Sequence, residues 1–240
     1  MLTTVLFDLD GTLLPMELDQ FLECHFDLLA KKLVANGYNS DKIMDGLWEG
    51  LMAMIRNDGS RTNQEVFLDR FSTEVCRDAS ADMPLFLDFY NNEFHGAKIA
   101  CGFDPKAVET VAAVKAKGLR VVLATNPMYP AIATENRMRW AGFDPQDFEL
   151  YTTYEDYSHC KPNPAYFQEI LDKLELRAEE CLMVGNDAAE DMAAEKIGIK
   201  VFLLPKWLVN RDNLDISAYP QGDFDDLLTY IDSLQKKTDR

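Results

Sequence analysis

The 240-residue chain has little positive charge, and this limits the partners that it can bind. It carries 24 lysines and arginines against 41 aspartates and glutamates, which gives a net charge of -17. Such a surface repels phosphate backbones and anionic lipid headgroups. The sequence also has no apolar run near the roughly 18 residues that span a bilayer. We therefore expect no nucleic-acid partner and no membrane partner.

The chain also lacks cysteine pairs with the spacing of a metal or redox site. Its five cysteines are scattered and odd in number. No basic region precedes an apolar one at the N-terminus, as it would in a signal peptide. We expect reduced thiols in a cytoplasmic protein.

What the sequence does contain is a regular alternation of apolar strands and helices. Strands are predicted near residues 4–9, 119–125, 148–153, 181–185 and 200–204. Because most of these segments are apolar on both faces, the pattern predicts an α/β fold with a doubly wound, mostly parallel sheet of five to six strands. Residues 205–222 form a long irregular connection.

Residues 16–100 interrupt this alternation with helical patterns alone. Apolar residues from Leu18 to Leu33 recur every three or four positions, as on one face of a helix. Further helices are predicted over 40–56, 62–77 and 82–94. The sequence thus predicts an α/β core formed by residues 1–15 and 101–240, and an all-helical domain inserted at 16–100.

Polar residues follow the predicted strands where each strand ends. The carboxyl ends of parallel strands meet at one edge of a sheet, where sites form in such folds. The residues expected at this edge are Asp8, Asp10, Gly11, Thr12, Thr125, Asn126, Lys161, Asp187 and Asp191.

Four carboxylates at one edge repel one another, and one lysine does not balance them. A divalent cation would, and hard oxygen ligands suit Mg²⁺. A metal beside a lysine and a hydroxyl makes a site for a phosphoryl group. One aspartate can then be the nucleophile, while the second, two residues on, protonates the leaving oxygen and later activates water.

In order along the chain, these motifs resemble those of the haloacid dehalogenase-like hydrolase superfamily, which has a Rossmann-like core. They are Asp8-Leu9-Asp10-Gly11-Thr12, then Thr125, then Lys161 before a proline, then Asp187 and Asp191. The insert resembles the helical cap of the phosphoglycolate phosphatase and β-phosphoglucomutase branch.

The resemblance implies a role for each motif residue. Asp8 would be the nucleophile and a Mg²⁺ ligand. Asp10 would be the general acid and base and would give its backbone carbonyl to the metal. The phosphoryl group would be bound by residues of the first two motifs and by the lysine, namely Gly11, Thr12, Thr125, Asn126 and Lys161. Asp187 would bind the metal and Asp191 would support it.

The last motif departs from the family pattern by one residue. An aspartate usually follows its glycine directly, but here Asn186 stands there and Asp187 comes next. We prefer Asp187 as the ligand because an amide is a weaker partner for a hard cation. The other register, with Asn186 in the ligand position, stays open.

The expected activity is Mg²⁺-dependent hydrolysis of a small phosphorylated metabolite, a phosphate monoester, through an aspartyl phosphate. A phosphomutase of the same superfamily is the alternative, as is a catalytically weak binding or regulatory member. Within the insert, Arg61 in the turn RNDGSRTN could read a second anionic group of the substrate. The protein is expected to be a monomer or a homodimer.

Overall fold

The computed structural model describes residues 1–236, so the last four residues of the predicted core lie outside the described residues. Within these residues five parallel strands form one sheet in the order β3-β2-β1-β4-β5. The strands are β1 (Thr4–Phe7), β2 (Arg120–Leu123), β3 (Leu150–Tyr151), β4 (Cys181–Gly185) and β5 (Lys200–Leu203). This confirms the predicted α/β fold with its parallel sheet.

The central strand β1 is buried on both faces, as its continuous apolar run requires. Its side chains alternate between two hydrophobic clusters, with Val5 and Phe7 in one and Leu6 in the other. β1 pairs with β2 and β4, and Val5 lies opposite Val121 and Leu182. The chain leaves the sheet after Phe7, two residues before the predicted end of the strand.

Helices fill the insert between β1 and the rest of the core. They are α1 (Leu18–Ala35), α2 (Ser40–Ile55), α3 (Asn63–Val75) and α4 (Met83–Asn91). A capping box formed by Thr62 and Glu65 fixes the start of α3. The last predicted helix is shorter than expected, and a 3-10 segment, Glu93–Ala100, follows it. Met16 and Cys101 form an antiparallel bridge where the chain leaves the core and returns.

Four further helices cover the sheet, namely α5 (Pro105–Ala116), α6 (Ala131–Trp140), α7 (Pro164–Leu174) and α8 (Phe224–Lys236). Residues of α5 and α8 join the cluster that contains Val5 and Phe7, and residues of α7 join the one that contains Leu6. The sheet therefore lies between two helical layers. None of the helices in residues 1–236 has the length and apolar character needed to cross a bilayer.

Candidate active site

Lys161 lies at the centre of the polar edge of the sheet. Its side chain is only 1% exposed, and its Nζ donates to Asp8 Oδ1 at 2.9 Å and to Asp191 Oδ1 at 2.6 Å. Burial alone would lower the pKa of Lys161, but the carboxylates of Asp191 and Asp8 raise it well above its usual value. The lysine therefore stays charged and links the first motif to the last.

Asp191 reaches Lys161 because the backbone beneath it is a glycine. A Cβ at Gly185 would lie 2.0 Å from Asp191 Oδ2, so a side chain there is excluded. The same Oδ2 accepts a hydrogen bond from the backbone N–H of Asp187 at 2.9 Å. Burial raises the pKa of the Asp191 carboxyl, and the charge of Lys161 and its hydrogen bond to Asp191 oppose this rise.

Asp187 lies at the surface side of this motif and is half-buried. Its Oδ1 accepts hydrogen bonds from the backbone N–H groups of Ala189 and Glu190, both at 2.8 Å. Burial raises its pKa, and these two backbone bonds lower it. The backbone thus fixes Asp187 through one carboxylate oxygen, on the surface side of the polar edge of the sheet.

The side chain of Asn186 joins the loop after β4 to two other loops. Its Oδ1 accepts from the Thr12 hydroxyl at 2.9 Å, and its Nδ2 donates to the Trp207 carbonyl at 2.6 Å. The close approach depends on Gly11, which has a φ of 81° and where a Cβ would lie 2.4 Å from Asn186 Nδ2. Both ends of the amide are therefore engaged with the protein.

Asn126 connects the end of β2 to the other motifs, and it does so through both atoms of its amide. Oδ1 accepts from the Lys161 backbone N–H at 3.1 Å, and Nδ2 donates to Glu190 Oε2 at 2.9 Å. The neighbouring Thr125 is buried, and its carbonyl accepts from the Tyr166 hydroxyl at 2.8 Å. The structure thus brings Thr125, Asn126 and Lys161 together, as the motif order predicted.

Glu190 is a member of this cluster that the sequence reasoning missed. Burial raises its pKa to about 8, and the Lys161 charge opposes this rise. The available signal was its position, since it directly precedes Asp191 in the same motif. A carboxyl with such a pKa changes its charge near neutral pH.

Arg137 on α6 is the second residue missed. Its side chain is fully buried and pairs with Asp10 Oδ2 through Nη1. Burial raises the pKa of Asp10, Arg137 lowers it, and the nearby Asp8 charge raises it. The first motif therefore has two cations, with Lys161 at Asp8 and Arg137 at Asp10.

Comparison with known proteins identifies the family. The model of the haloacid dehalogenase-like hydrolases matches residues 2–198, which cover all four motifs. The chain belongs to this family.

Two curated proteins similar to this hydrolase carry phosphatase names. It is 24% identical over 215 residues to the pyrophosphatase PpaX of Bacillus mycoides, which covers 89% of this chain and 88% of that protein. It is 27% identical over 195 residues to the phosphoglycolate phosphatase of Colwellia psychrerythraea, which covers 81% of this chain and 80% of that protein.

A solved structure supports the fold assignment. The hydrolase superimposes on the 2-haloacid dehalogenase of Pseudomonas syringae pv. Tomato with a TM-score of 0.63 and 20% sequence identity, covering 98% of this chain and all of that one. A likeness at this identity establishes the shared fold and leaves the reaction to the residues of the site.

A cleft of about 460 Å³ opens beside the first motif. Asp10, Gly11 and Asn186 line it from the core, together with residues 16–19 of the insert and residues 206–211 after β5. Arg211 pairs with Asp19 at 2.5 Å and so joins the two lateral walls. The irregular connection after β5 thus forms one side of a space for a small molecule.

The start of α3, together with the turn before it, contacts the core at Pro127, next to Asn126. The Asn63 side chain is buried, and its Nδ2 donates to the Pro127 carbonyl at 3.1 Å while its Oδ1 accepts from Asn57 Nδ2 at 2.9 Å. Arg61 in the same turn points elsewhere, because its Nη2 pairs with Asp69 at 3.1 Å and its side chain is 47% exposed. Its role in substrate recognition stays a prediction.

The donors at the edge are hard oxygens, which are the ligands that Mg²⁺ prefers. Five acidic and two basic residues lie along this edge, namely Asp8, Asp10, Asp187, Glu190, Asp191, Lys161 and Arg137. This excess of negative charge fits a divalent cation. Within residues 1–236, no three acidic, histidine or cysteine side chains converge closely enough to hold a metal by themselves.

Proposed function

We propose that this hydrolase is a Mg²⁺-dependent phosphatase that cleaves a small phosphate monoester through an aspartyl phosphate on Asp8. The observation that carries the proposal is the buried bridge of Lys161 to Asp8 and Asp191. The lysine occupies one oxygen of Asp8 and leaves the other for attack on phosphorus. The charge of Lys161 also stabilises the negative charge that gathers on the transferring group.

We assign the remaining catalytic and binding roles to the other motif residues. Asp10 protonates the leaving oxygen in the first step and takes a proton from water in the second. Thr125 and the backbone of Asn126 bind the phosphoryl oxygens, together with Gly11 and Thr12 of the first loop. An acid at position 10 favours phosphoryl chemistry over dehalogenation, because a halide leaves without a proton.

The metal would be held by the Asp8 carboxylate, the Asp10 backbone carbonyl and the Asp187 carboxylate, with Asp191 as support. When bound, Mg²⁺ supplies the positive charge that a phosphoryl group needs. The two engaged ends of the Asn186 amide support Asp187 as the ligand. Asn186 then serves to hold Thr12 in place.

The cleft beside Asp10 is where we place the leaving group of the substrate, because the acid must reach the leaving oxygen. Its volume suits a small metabolite. Pyrophosphate and phosphoglycolate, the compounds in the names of the two relatives, both carry a second anionic group. We infer a substrate of this kind, whose second anionic group would replace Asp104 and Asp19 as the partner of the two cleft cations, Lys206 and Arg211.

The insert, residues 16–100, is the segment that we propose as a cap over the core of residues 1–15 and 101–240. We propose that the protein works in the cytoplasm as a monomer or homodimer. Its five cysteines are all free thiols, which suits a reducing compartment.

A phosphatase screen tests the proposal. Purified protein is assayed on phosphoglycolate, pyrophosphate, sugar phosphates, nucleotides and pyridoxal phosphate, with Mg²⁺ and with excess EDTA. We expect phosphate release that needs Mg²⁺ and is fastest on a substrate with two anionic groups. Full turnover in EDTA would contradict the metal requirement, and no release from any ester would contradict the proposed function.

A further inference from the structure

Arg137 is a buried cation whose charge is directed at one carboxylate. Its side chain is fully buried, which is rare for arginine unless it is paired. Nη1 donates to Asp10 Oδ2, Nη2 donates to the Thr134 hydroxyl at 3.3 Å, and Nε donates to the Ala133 carbonyl at 3.4 Å. The two bonds to its own helix fix the guanidinium on α6, so its remaining nitrogen, Nη1, points at Asp10.

Aromatic packing holds the guanidinium from another side. Its central carbon lies 4.3 Å from the centre of the Tyr129 ring, at the distance of a cation–π contact. The ring of His25, from the insert, packs against Tyr129 with centroids 5.3 Å apart. Burial and the Arg137 charge lower the pKa of His25 to about 3, so this imidazole adds no second charge. Arg137 is thus a rigid, single cation.

The two oxygens of Asp10 have unequal surroundings as a result. Oδ2 is bound by Arg137, whereas Oδ1 is buried and has no hydrogen-bond partner among residues 1–236. A buried acceptor without a partner is unusual and calls for a reason. Asp10 lines the cleft beside the first motif, and Oδ1 is the carboxylate oxygen that the described residues leave without a partner.

We propose that Arg137 is a positioning residue that anchors Asp10 by Oδ2 and so assigns the proton transfers to Oδ1. This inference rests on the proposed phosphatase function. In the first step the bond from Asp8 to phosphorus forms, the ester P–O bond breaks, and the proton on Oδ1 passes to the leaving oxygen. In the second step a water oxygen binds phosphorus, the bond from Asp8 to phosphorus breaks, and a proton of that water returns to Oδ1.

The test compares two leaving groups. An alkoxide leaves poorly and needs the acid, whereas a nitrophenolate leaves well without it. The hydrolysis of the aspartyl phosphate is common to both esters, so the first step is compared through kcat/KM. We therefore expect Arg137→Met to lower kcat/KM on glycerol phosphate on the order of tenfold to a hundredfold, and kcat/KM on para-nitrophenyl phosphate by only a few-fold. Arg137→Lys keeps the charge but loses the arm that reaches Oδ2, and we expect an intermediate effect.

A second background shows whether Arg137 acts through Asp10. In Asp10→Asn protein the acid is already gone, so we expect Arg137→Met to leave the ratio of the two kcat/KM values unchanged. Replacing both charged groups also avoids leaving one buried charge unpaired. If Arg137→Met alone fails to fold, Arg137→Lys and the double variant decide the question. Arg139→Met, on the same helix but half-exposed and paired with Glu135, is the control and should alter neither rate.

Two results would overturn the inference. An equal loss of kcat/KM on both substrates would show that Arg137 only supports the fold. The same change of ratio in the Asp10→Asn background would show that Arg137 does not act through Asp10. If the wild-type protein hydrolyses neither ester with Mg²⁺, the proposed function itself is wrong and this inference falls with it.

Discussion

Replacing Lys161 by methionine removes the only cation that lies between Asp8 and Asp191 in the described structure. Both ion pairs are buried, and Lys161 is 1% exposed. Breaking a buried pair by removing one partner typically costs about 3–5 kcal/mol, because the remaining charge is left unpaired. We expect Lys161→Met to lose a free energy of unfolding of this size at pH 8, together with its activity.

The loss of unfolding free energy should depend on pH, and the carboxyl groups determine whether it grows or shrinks as pH rises. Burial already raises the pKa of Asp191 above its usual value of 3.8, and without Lys161 it rises further. The folded variant then keeps a proton that the unfolded chain releases above about pH 4. Its stability therefore falls as pH rises, by at most about 1.4 kcal/mol per pH unit for each such carboxyl. At pH 5 the loss should be smaller than at pH 8.

Urea unfolding followed by circular dichroism, in EDTA at pH 5 and pH 8, measures both effects. Lys31→Met is the matched control, because Lys31 pairs with Asp27 on the surface with its side chain 70% exposed. An exposed pair of this kind is worth about 0.5 kcal/mol or less. A loss in Lys161→Met no larger than in the control, or equal at both pH values, would refute the electrostatic reasoning.

Three further predictions follow from the site. Burial raises the pKa of Glu190 to about 8, so the metal-free protein should lose stability as pH rises from about 4.5 to 8. In urea unfolding, the stability of Glu190→Gln should therefore increase relative to that of the wild type across this pH range. A stability difference that stays constant with pH would contradict this. Asp8→Asn should abolish turnover and leave the circular dichroism spectrum intact, and a wild-type rate would exclude Asp8 as nucleophile. Arg211→Ala should raise KM for the best substrate about tenfold to a hundredfold and leave aryl phosphate hydrolysis unchanged, because Arg211 lines the cleft. Arg61→Ala, assayed in parallel, tests whether the turn before α3 binds the same anionic group, and an unchanged KM in either variant excludes that arginine.

The sequence predicted the α/β fold and the order of its elements because each relies on local patterns. The apolar run of β4 and the caps of α5 and α7, Asp104 with Pro105 and Asn163 with Pro164, are local signals. The predicted third strand, residues 148–153, was too long, because in this edge strand only Leu150 and Tyr151 pair in register with β2, opposite Val122 and Leu123. The 3-10 segment Glu93–Ala100 was likewise not visible in a helical pattern.

The residues of the site likewise divide into those that the sequence predicts and those that it does not. The motif residues that follow the strands could be predicted, because parallel strands bring their ends together. The partner of Asp10 could not, since Arg137 lies 127 residues away and an arginine within a helix is usually exposed. The bond of Asn186 to Thr12 joins residues 174 apart, and only the folded loops show it.

The measurement that tests the central claim most directly is chemical trapping of a phosphorylated Asp8. In Asp10→Asn protein with para-nitrophenyl phosphate and Mg²⁺, the first step needs no acid, while the water of the second step lacks its base. The aspartyl phosphate should therefore accumulate. Rapid quenching and borohydride reduction should convert residue 8 to homoserine, identified by peptide mass spectrometry. Nitrophenol release with no homoserine at position 8, or with the reduced residue elsewhere, would contradict the account.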